Sequence, residues 1–258
     1  MYSIGNFFNN DDIRTVESKG PFTVVEYLRD LSVSPASAAT AYFCSQMNVR
    51  KRQVVCDLAK SGGITLQAGA MQWMLGDVNA TTGLKGVGDL FGKAMRGSVT
   101  GESAIKPEYT GKGILTLEPT YKHILLLDLD EWNGSVVVED GMFLACDSRI
   151  KHKAVMRSNF SSAAAGGEGL FNLGLTGSGI VCLESASPKE ELIEITLKDD
   201  VLKVDGSMAV AWSGSLSFTV ERSGKSLLGS AASGEGLVNV YRGTGKVLMA
   251  PVGGKVNL

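Results

Sequence analysis

The sequence predicts an all-β, mostly antiparallel protein built from three tandem β units, set in a pseudo-threefold sandwich or barrel-like arrangement with one or two short helices. Three observations carry this expectation. Glycine supplies 32 of 258 residues, about 12% against a usual share of roughly 7%. The glycines recur in a fixed order: Gly101-Glu102-Ser103, Gly167-Glu168-Gly169 and Gly234-Glu235-Gly236 are followed about ten residues later by Gly111-Lys112-Gly113, Gly177-Ser178-Gly179 and Gly243-Thr244-Gly245. Between them lie short runs rich in Val, Ile, Leu and Thr, the composition of antiparallel strands bounded by turns.

Taken in chain order, residues 1–51 form an N-terminal extension packed on the core. Within it residues 35–47 read two ways. Ser34 can cap a helix with Pro35 at its first position, while Ala41 to Cys44 also suit a strand. Three β units follow, over 52–119, 120–188 and 189–258, the repeated landmarks of the third ending near 252. Each opens on a strand-like run, at 53–58, 124–129 and 192–197. Ala68-Gly69-Ala70-Met71 then aligns with Asp140-Gly141-Met142-Phe143 and Asp205-Gly206-Ser207-Met208. In the first unit Leu90, Phe91, Ala94 and Met95 have roughly helical spacing, which predicts a short helix within 87–98. Each Gly-x-Gly pair precedes an apolar run and reads as a hairpin turn, because glycine supplies the positive φ that other residues resist. Units of about 67 residues are marginal alone, so the three are expected to share buried surface.

Composition removes several function classes. A chain that is 44% hydrophobic and 20% charged, with net charge −2 and a pI near 5.8, is too apolar for disorder and lacks the basic balance of a nucleic-acid domain. No run approaches eighteen apolar residues and the first ten residues do not read as a signal peptide, so a cytoplasmic protein is expected. Cys44, Cys56, Cys146 and Cys182 stand too far apart in sequence for a zinc or redox motif and read as buried reduced thiols. With only His123 and His152, a multi-histidine metal site within one chain is excluded.

The segment from Gly86 to Lys93 resembles a phosphate loop but has the wrong spacing, and Ala94 stands where a magnesium-binding Ser or Thr belongs. Asp128, Asp130 and Glu131 could face a hard cation, yet their place matches Asp57 of the first unit, which favours a solvated strand end. Arg50, Lys51 and Arg52, with Lys151, His152, Lys153 and Arg157, are the basic clusters. Ser178 is a variable position, matched by Lys112 and Thr244, rather than a nucleophile. Glu102, Glu168 and Glu235 are the candidate ligand or turn-stabilising residues: repetition would gather them near one axis, where like charges raise one another's pKa or share a cation, while a carboxylate at a glycine turn also accepts backbone hydrogen bonds. The turn-stabilising role is favoured.

Those repeats, with Gly166-Gly167-Glu168-Gly169-Leu170-Phe171, Val204-Asp205-Gly206 and Gly234-Glu235-Gly236-Leu237-Val238, resemble the mitochondrial-biogenesis family called altered inheritance of mitochondria twenty-four, over about residues 48–252. The resemblance implies a mostly-β fold similar to the tryptophan RNA-binding attenuation protein. It brings no catalytic residues. The reading of the whole sequence is a non-enzymatic β-rich scaffold or binding module, a homo-oligomer acting through protein partners, with no cofactor and no metal. The alternative is a small-ligand protein or enzyme with a site between repeats near the three glutamates. Nucleic-acid binding ranks third.

Overall fold

The computed structural model describes residues 2–82, 106–156, 171–206, 208–222 and 237–251. Among these the chain forms strands β1 (Ile13–Lys19), β2 (Phe22–Tyr27), β3 (Arg52–Asp57), β4 (Ile64–Leu66), β5 (Met71–Thr81), β6 (Glu108–Leu117), β7 (His123–Asp128), β8 (Ser135–Val138), β9 (Phe143–Asp147), β10 (Lys151–Met156), β11 (Phe171–Thr176), β12 (Ile180–Ser185), β13 (Ile193–Asp205), β14 (Ala209–Ser213), β15 (Ser217–Arg222) and β16 (Leu237–Met249), with helix α1 (Ala38–Gln46) between β2 and β3. All strand pairs are antiparallel. One nine-stranded sheet runs β1-β2-β3-β6-β4-β9-β12-β7 with β5 beside β6, and a seven-stranded sheet runs β10-β11-β8-β14-β16-β13 with β15 beside β16. The all-β expectation stands.

The pairing has a recurrent pattern. β3, β7 and β13 pair with β6, β12 and β16 respectively. On their other side β6, β12 and β16 carry β5, β9 and β14, each time with a register shift, at Met71/Trp73, Cys182/Leu183 and Ala209/Ala211. Two further ladders tie successive stretches together: β4 to β9 through Thr65↔Cys146, and β8 to β14 through Trp212↔Val137. A corresponding ladder between β13 and β5 is not formed among the described residues.

Asp57 and Asp128 end their strands in the same way, each accepting a backbone N–H two residues on, from Ala59 at 3.0 Å and Asp130 at 3.1 Å, to open a 3-10 turn. Asp130 in turn accepts from Ser178 Oγ at 3.0 Å and Glu131 pairs with Lys19 at 2.8 Å. The three carboxylates act as caps and ion-pair partners at a strand end.

The Gly-x-Gly pairs do not form hairpins. Gly111 and Gly113 lie inside the continuous strand β6, Gly243 and Gly245 lie inside β16, and Gly177 with Gly179 joins β11 of one sheet to β12 of the other. Gly111, Gly177 and Gly243 have φ of +116°, +140° and +115°. The chain therefore kinks and keeps going. Positive φ serves a kink as well as a turn, and a kink lets one strand border two differently oriented partners.

Among the described residues the core is three apolar clusters. The first packs Phe22 and Val24 of the extension with Val54, Cys56, Leu115 and Leu117 against Leu126, Ala145 and Cys182. The second holds Leu125, Trp132, Val136, Phe143, Leu175 and Leu183 together with Val210 and Ala211. The third gathers Trp212, Tyr241, Leu197 and Val247 with Phe218. The three rings Trp212, Phe218 and Tyr241 stand 5.2 to 5.3 Å apart by centroid, inside the range for favourable edge and offset contacts.

Helix α1 is the one α-helix among the described residues, which settles residues 35–47 as helical in part. It starts later than the Ser34-Pro35 expectation, at Ala38 with Ser37 as N-cap, and the Ser37 side chain makes no capping bond. Its far end is well specified. Asn48 takes φ +62°, Val49 N–H donates to Cys44 O at 2.8 Å and Asn48 N–H to Ser45 O at 3.3 Å, the Schellman arrangement with Asn in the usual glycine position. The expected helix within 87–98 lies outside the described residues, as does the phosphate-loop-like segment.

Candidate functional site

The features that could receive a ligand or partner gather where the extension meets the sheet. Strands β2 and β3 pair through Glu26↔Arg52, and the chain between them, residues 28–51, leaves the sheet edge, forms α1 and returns. It encloses a groove of about 820 Å³ against the sheet, walled by Tyr27, Leu28, Val33, Ala41, Cys44 and Val49, with Tyr121 contributed from beyond the hairpin.

An ion cluster at the base of this excursion fixes it. Glu26, 2% exposed, accepts Arg14 Nη2 and Arg50 Nη1 at 2.9 Å each and pairs with Arg52 Nη2 at 2.7 Å. Arg52, 4% exposed, also donates to Asn48 Oδ1 at 2.7 Å and Asn48 O at 3.0 Å. Arg50 Nε reaches Ser45 O at 3.0 Å, and Ser45 Oγ donates to Leu28 O at 3.0 Å. The cluster thus clamps the end of α1 to the sheet. Burial alone would raise the Glu26 pKa, but the hydrogen bond from Arg50 and the charges of Arg52, Arg14 and Arg50 outweigh it and hold the carboxyl below its usual range.

Around the groove every charge is matched. Arg29 pairs with Asp12, Lys51 with Asp30 at 2.9 Å, and Arg50 with Glu26. The Lys51 hydrogen bond, with two more from Ser32, lowers the Asp30 pKa to about 2. The basic run Arg50-Lys51-Arg52 is therefore consumed internally. Such a run gives a phosphate backbone little to hold.

His123, half-buried, senses the same cluster: burial lowers its pKa first, the Arg52 charge adds to this, and Glu26 and Glu190 pull the other way. Both His123 and Glu26 have folded values below their unfolded ones, so each contributes stability that is whole above the unfolded pKa and lost as pH falls toward the folded one. The thermal midpoint should be level from pH 8 to 7 and fall from pH 6.5 downward, with Glu26 steepening the loss below pH 4.5. His123→Gln should make the first part of that fall shallower in a thermal melt series, leaving the share of His152, whose pKa burial and the Lys106 charge also lower. A midpoint that rises between pH 7 and 5.5 would contradict this assignment.

The cysteines divide. Cys56, Cys146 and Cys182 are buried free thiols, as expected, with burial raising their pKa, to about 12 for Cys146. Cys44 departs from the expectation: it is only half-buried and lines the groove. Sequence reasoning had no signal for this, since a thiol in an apolar helix reads as core.

Glu102, Glu168 and Glu235 lie outside the described residues, as does Arg157. Lys151, His152 and Lys153 are on β10. Among the described residues there is no group of three or more His, Cys, Asp or Glu placed to hold a metal ion, and no helix is long and apolar enough to cross a membrane.

With this geometry in place, comparison with known proteins identifies the fold's lineage. The family profile for mitochondrial biogenesis AIM24 matches residues 46–252. The chain belongs to this AIM24 family. A relative from Streptococcus pyogenes serotype M6, itself an uncharacterized protein, is 32% identical over 202 residues, covering 75% of this chain and 79% of its own. The crystal structure of a Streptococcus pyogenes protein solved by structural genomics aligns at 30% identity with a TM-score of 0.57, covering 80% of this chain and 90% of that one. The AIM24 match begins at the last residue of α1, so most of the wall of the groove is built from chain that precedes the matched region.

Proposed function

We propose that this AIM24-family chain is a non-enzymatic binding module that works by docking protein through the face of α1. The observation that carries this is the state of the helix. All nine of its residues remain unburied within the chain, and Tyr42 and Phe43, followed by Met47, are 62%, 67% and 77% exposed beside an apolar groove. A nine-residue helix is marginal on its own, and helices in proteins draw most of their stability from packing one face. An apolar helix left open, next to a sheet that buries its own apolar face, fits a surface completed by another polypeptide.

The same reading takes residues 52–119, 120–188 and 189–258 as three copies of one β unit around a pseudo-threefold axis, forming the rigid platform for that face. The recurrent pairing of β3, β7 and β13 with β6, β12 and β16 supports it, as do the positive φ values of Gly69, Gly141 and Gly206, +83°, +80° and +66°.

Binding of purified candidate proteins to immobilised full-length chain, with Phe43→Asp as the control, tests the reading. A specific protein should bind the natural chain and lose roughly tenfold or more of its affinity for the variant. A thermal-shift screen of metals and metabolites that yields a several-degree response together with turnover of the hit would replace the binding module by an enzyme.

A further inference from the structure

Resting on the reading of the α1 face as a docking surface, we infer that its occupant is a second copy of this chain, packed face to face about a twofold axis.

The first argument is charge. Residues 31–49 contain no Asp, Glu, Lys or Arg over nineteen consecutive positions, and the four charged residues that line the groove, Arg29, Asp30, Arg50 and Lys51, are all spent on ion pairs within the chain. An acidic or basic partner would find nothing to pair with here. A helix lying on an anionic membrane carries Lys or Arg along its polar face, and α1 has none. The surface that matches an uncharged apolar patch is another uncharged apolar patch.

Shape is the second argument. A twofold interface uses the same patch on both subunits, so the patch must contain both a protrusion and a recess. Phe43 and Met47, four positions apart and thus on one side of the helix, protrude and take no part in the groove wall. The recess beside them is walled by Tyr27, Leu28, Leu31 and Val33. Ala39, four positions before Phe43 and so on the same side of the helix, carries only a methyl group, which permits a second helix to approach closely so that its Phe43 and Met47 reach the recess of the first.

Area is the third. Leu31, Tyr42, Phe43, Met47, Val49 and Tyr121 are between 40% and 77% exposed. Together they offer on the order of 800 Å² per copy, the size of one side of a standard specific interface. Covering that surface also packs the side of α1 that the described residues leave open.

Sedimentation velocity of the full chain between about 1 and 100 μM, the range in which a micromolar dissociation constant is visible, decides the matter. The natural chain should move from monomer to dimer across this range. Phe43→Asp and Met47→Asp should each weaken the dimer by about 30-fold or more, with the thermal midpoint of the dilute monomer unchanged because both side chains are exposed. Alkylation of Cys44 in the groove gives a second readout, slowing as the natural chain is concentrated and not in Phe43→Asp.

A free sheet edge is the rival route to self-association, and among the described residues β13 has one where Val201 N–H turns to Asp200 Oδ1 at 2.8 Å. Val201→Pro should leave the dimer intact. A natural chain that stays monomeric at 100 μM, or an oligomer lost in Val201→Pro and kept in Phe43→Asp, would overturn the inference. A monomer that still binds a different protein through Phe43 would leave the docking face standing while removing the second copy as its occupant.

Discussion

Gly111→Ala should destabilise the protein by about 3–5 kcal/mol, roughly 10 °C in thermal midpoint for a chain of this size. Gly111 sits at φ +116° in β6, and a Cβ there would stand 2.1 Å from the carbonyl oxygen of Asp77 on β5. Two costs combine. A non-glycine residue at this φ costs about 1–3 kcal/mol by itself, and the carbonyl must move out of the β5–β6 ladder to make room. Gly69→Ala separates the two, because Gly69 has φ +83° and nothing within 4 Å of its would-be Cβ. That variant should lose only the conformational part, about 1–2 kcal/mol. Equal losses in the two variants, measured by urea denaturation, would show that the close approach of β5 contributes nothing.

Glu26→Ala should cost about 3–5 kcal/mol, the usual result of removing one side of a buried ion pair. Arg50 and Arg52 would remain close together, with Arg52 almost fully buried and no carboxylate between them. The loss should also be local. Arg50 and Arg52 hold Ser45 and Asn48 at the end of α1, so limited proteolysis of the variant should cut first within residues 28–51. Glu26→Gln keeps the shape and some hydrogen bonds, and should fall between the natural chain and Glu26→Ala. A Glu26→Ala chain within 1 kcal/mol of the natural one, with an unchanged digestion pattern, would show that the cluster is not the clamp. Because the clamp sets the pose of α1, the variant should also weaken any docking through Phe43 without altering that residue.

The exposed apolar face of α1 was hard to see from residues alone. The stretch from Leu31 to Val49 is Ala-rich, apolar and free of charge, which is also how a core helix reads, and period cannot tell a buried helix from one waiting for a partner. Its exposure depends on where β2 and β3 deliver the chain, and that follows from the Glu26↔Arg52 register. The ion cluster was equally hidden: Arg50, Lys51 and Arg52 form a basic run in sequence, and their neutralisation comes from Glu26 and Asp30, with Asn48 accepting a hydrogen bond from Arg52, partners brought in by strand pairing and by the turn that ends α1. The place of Asp57 and Asp128 at a strand end was legible from the residues, while the backbone N–H that each accepts two residues on, a contact that needs no distant partner, emerged with the turn.

Local chemistry is what the amino-acid sequence determined by itself: an all-β antiparallel chain of short β-branched runs, glycines at the positions that need positive φ, and membership of a lineage whose motifs span residues 46–252. Tertiary structure alone decided what those glycines do. A positive φ closes a hairpin when the strand must pair with itself and kinks a strand when its two halves border different partners, and the residue cannot distinguish them. Only the ladders of β6 with β3, β4 and β5, and of β16 with β13, β14 and β15, make Gly111 and Gly243 kinks. The same holds for α1, since burial is a property of what lies opposite a surface, and nothing in nineteen uncharged residues states what that will be.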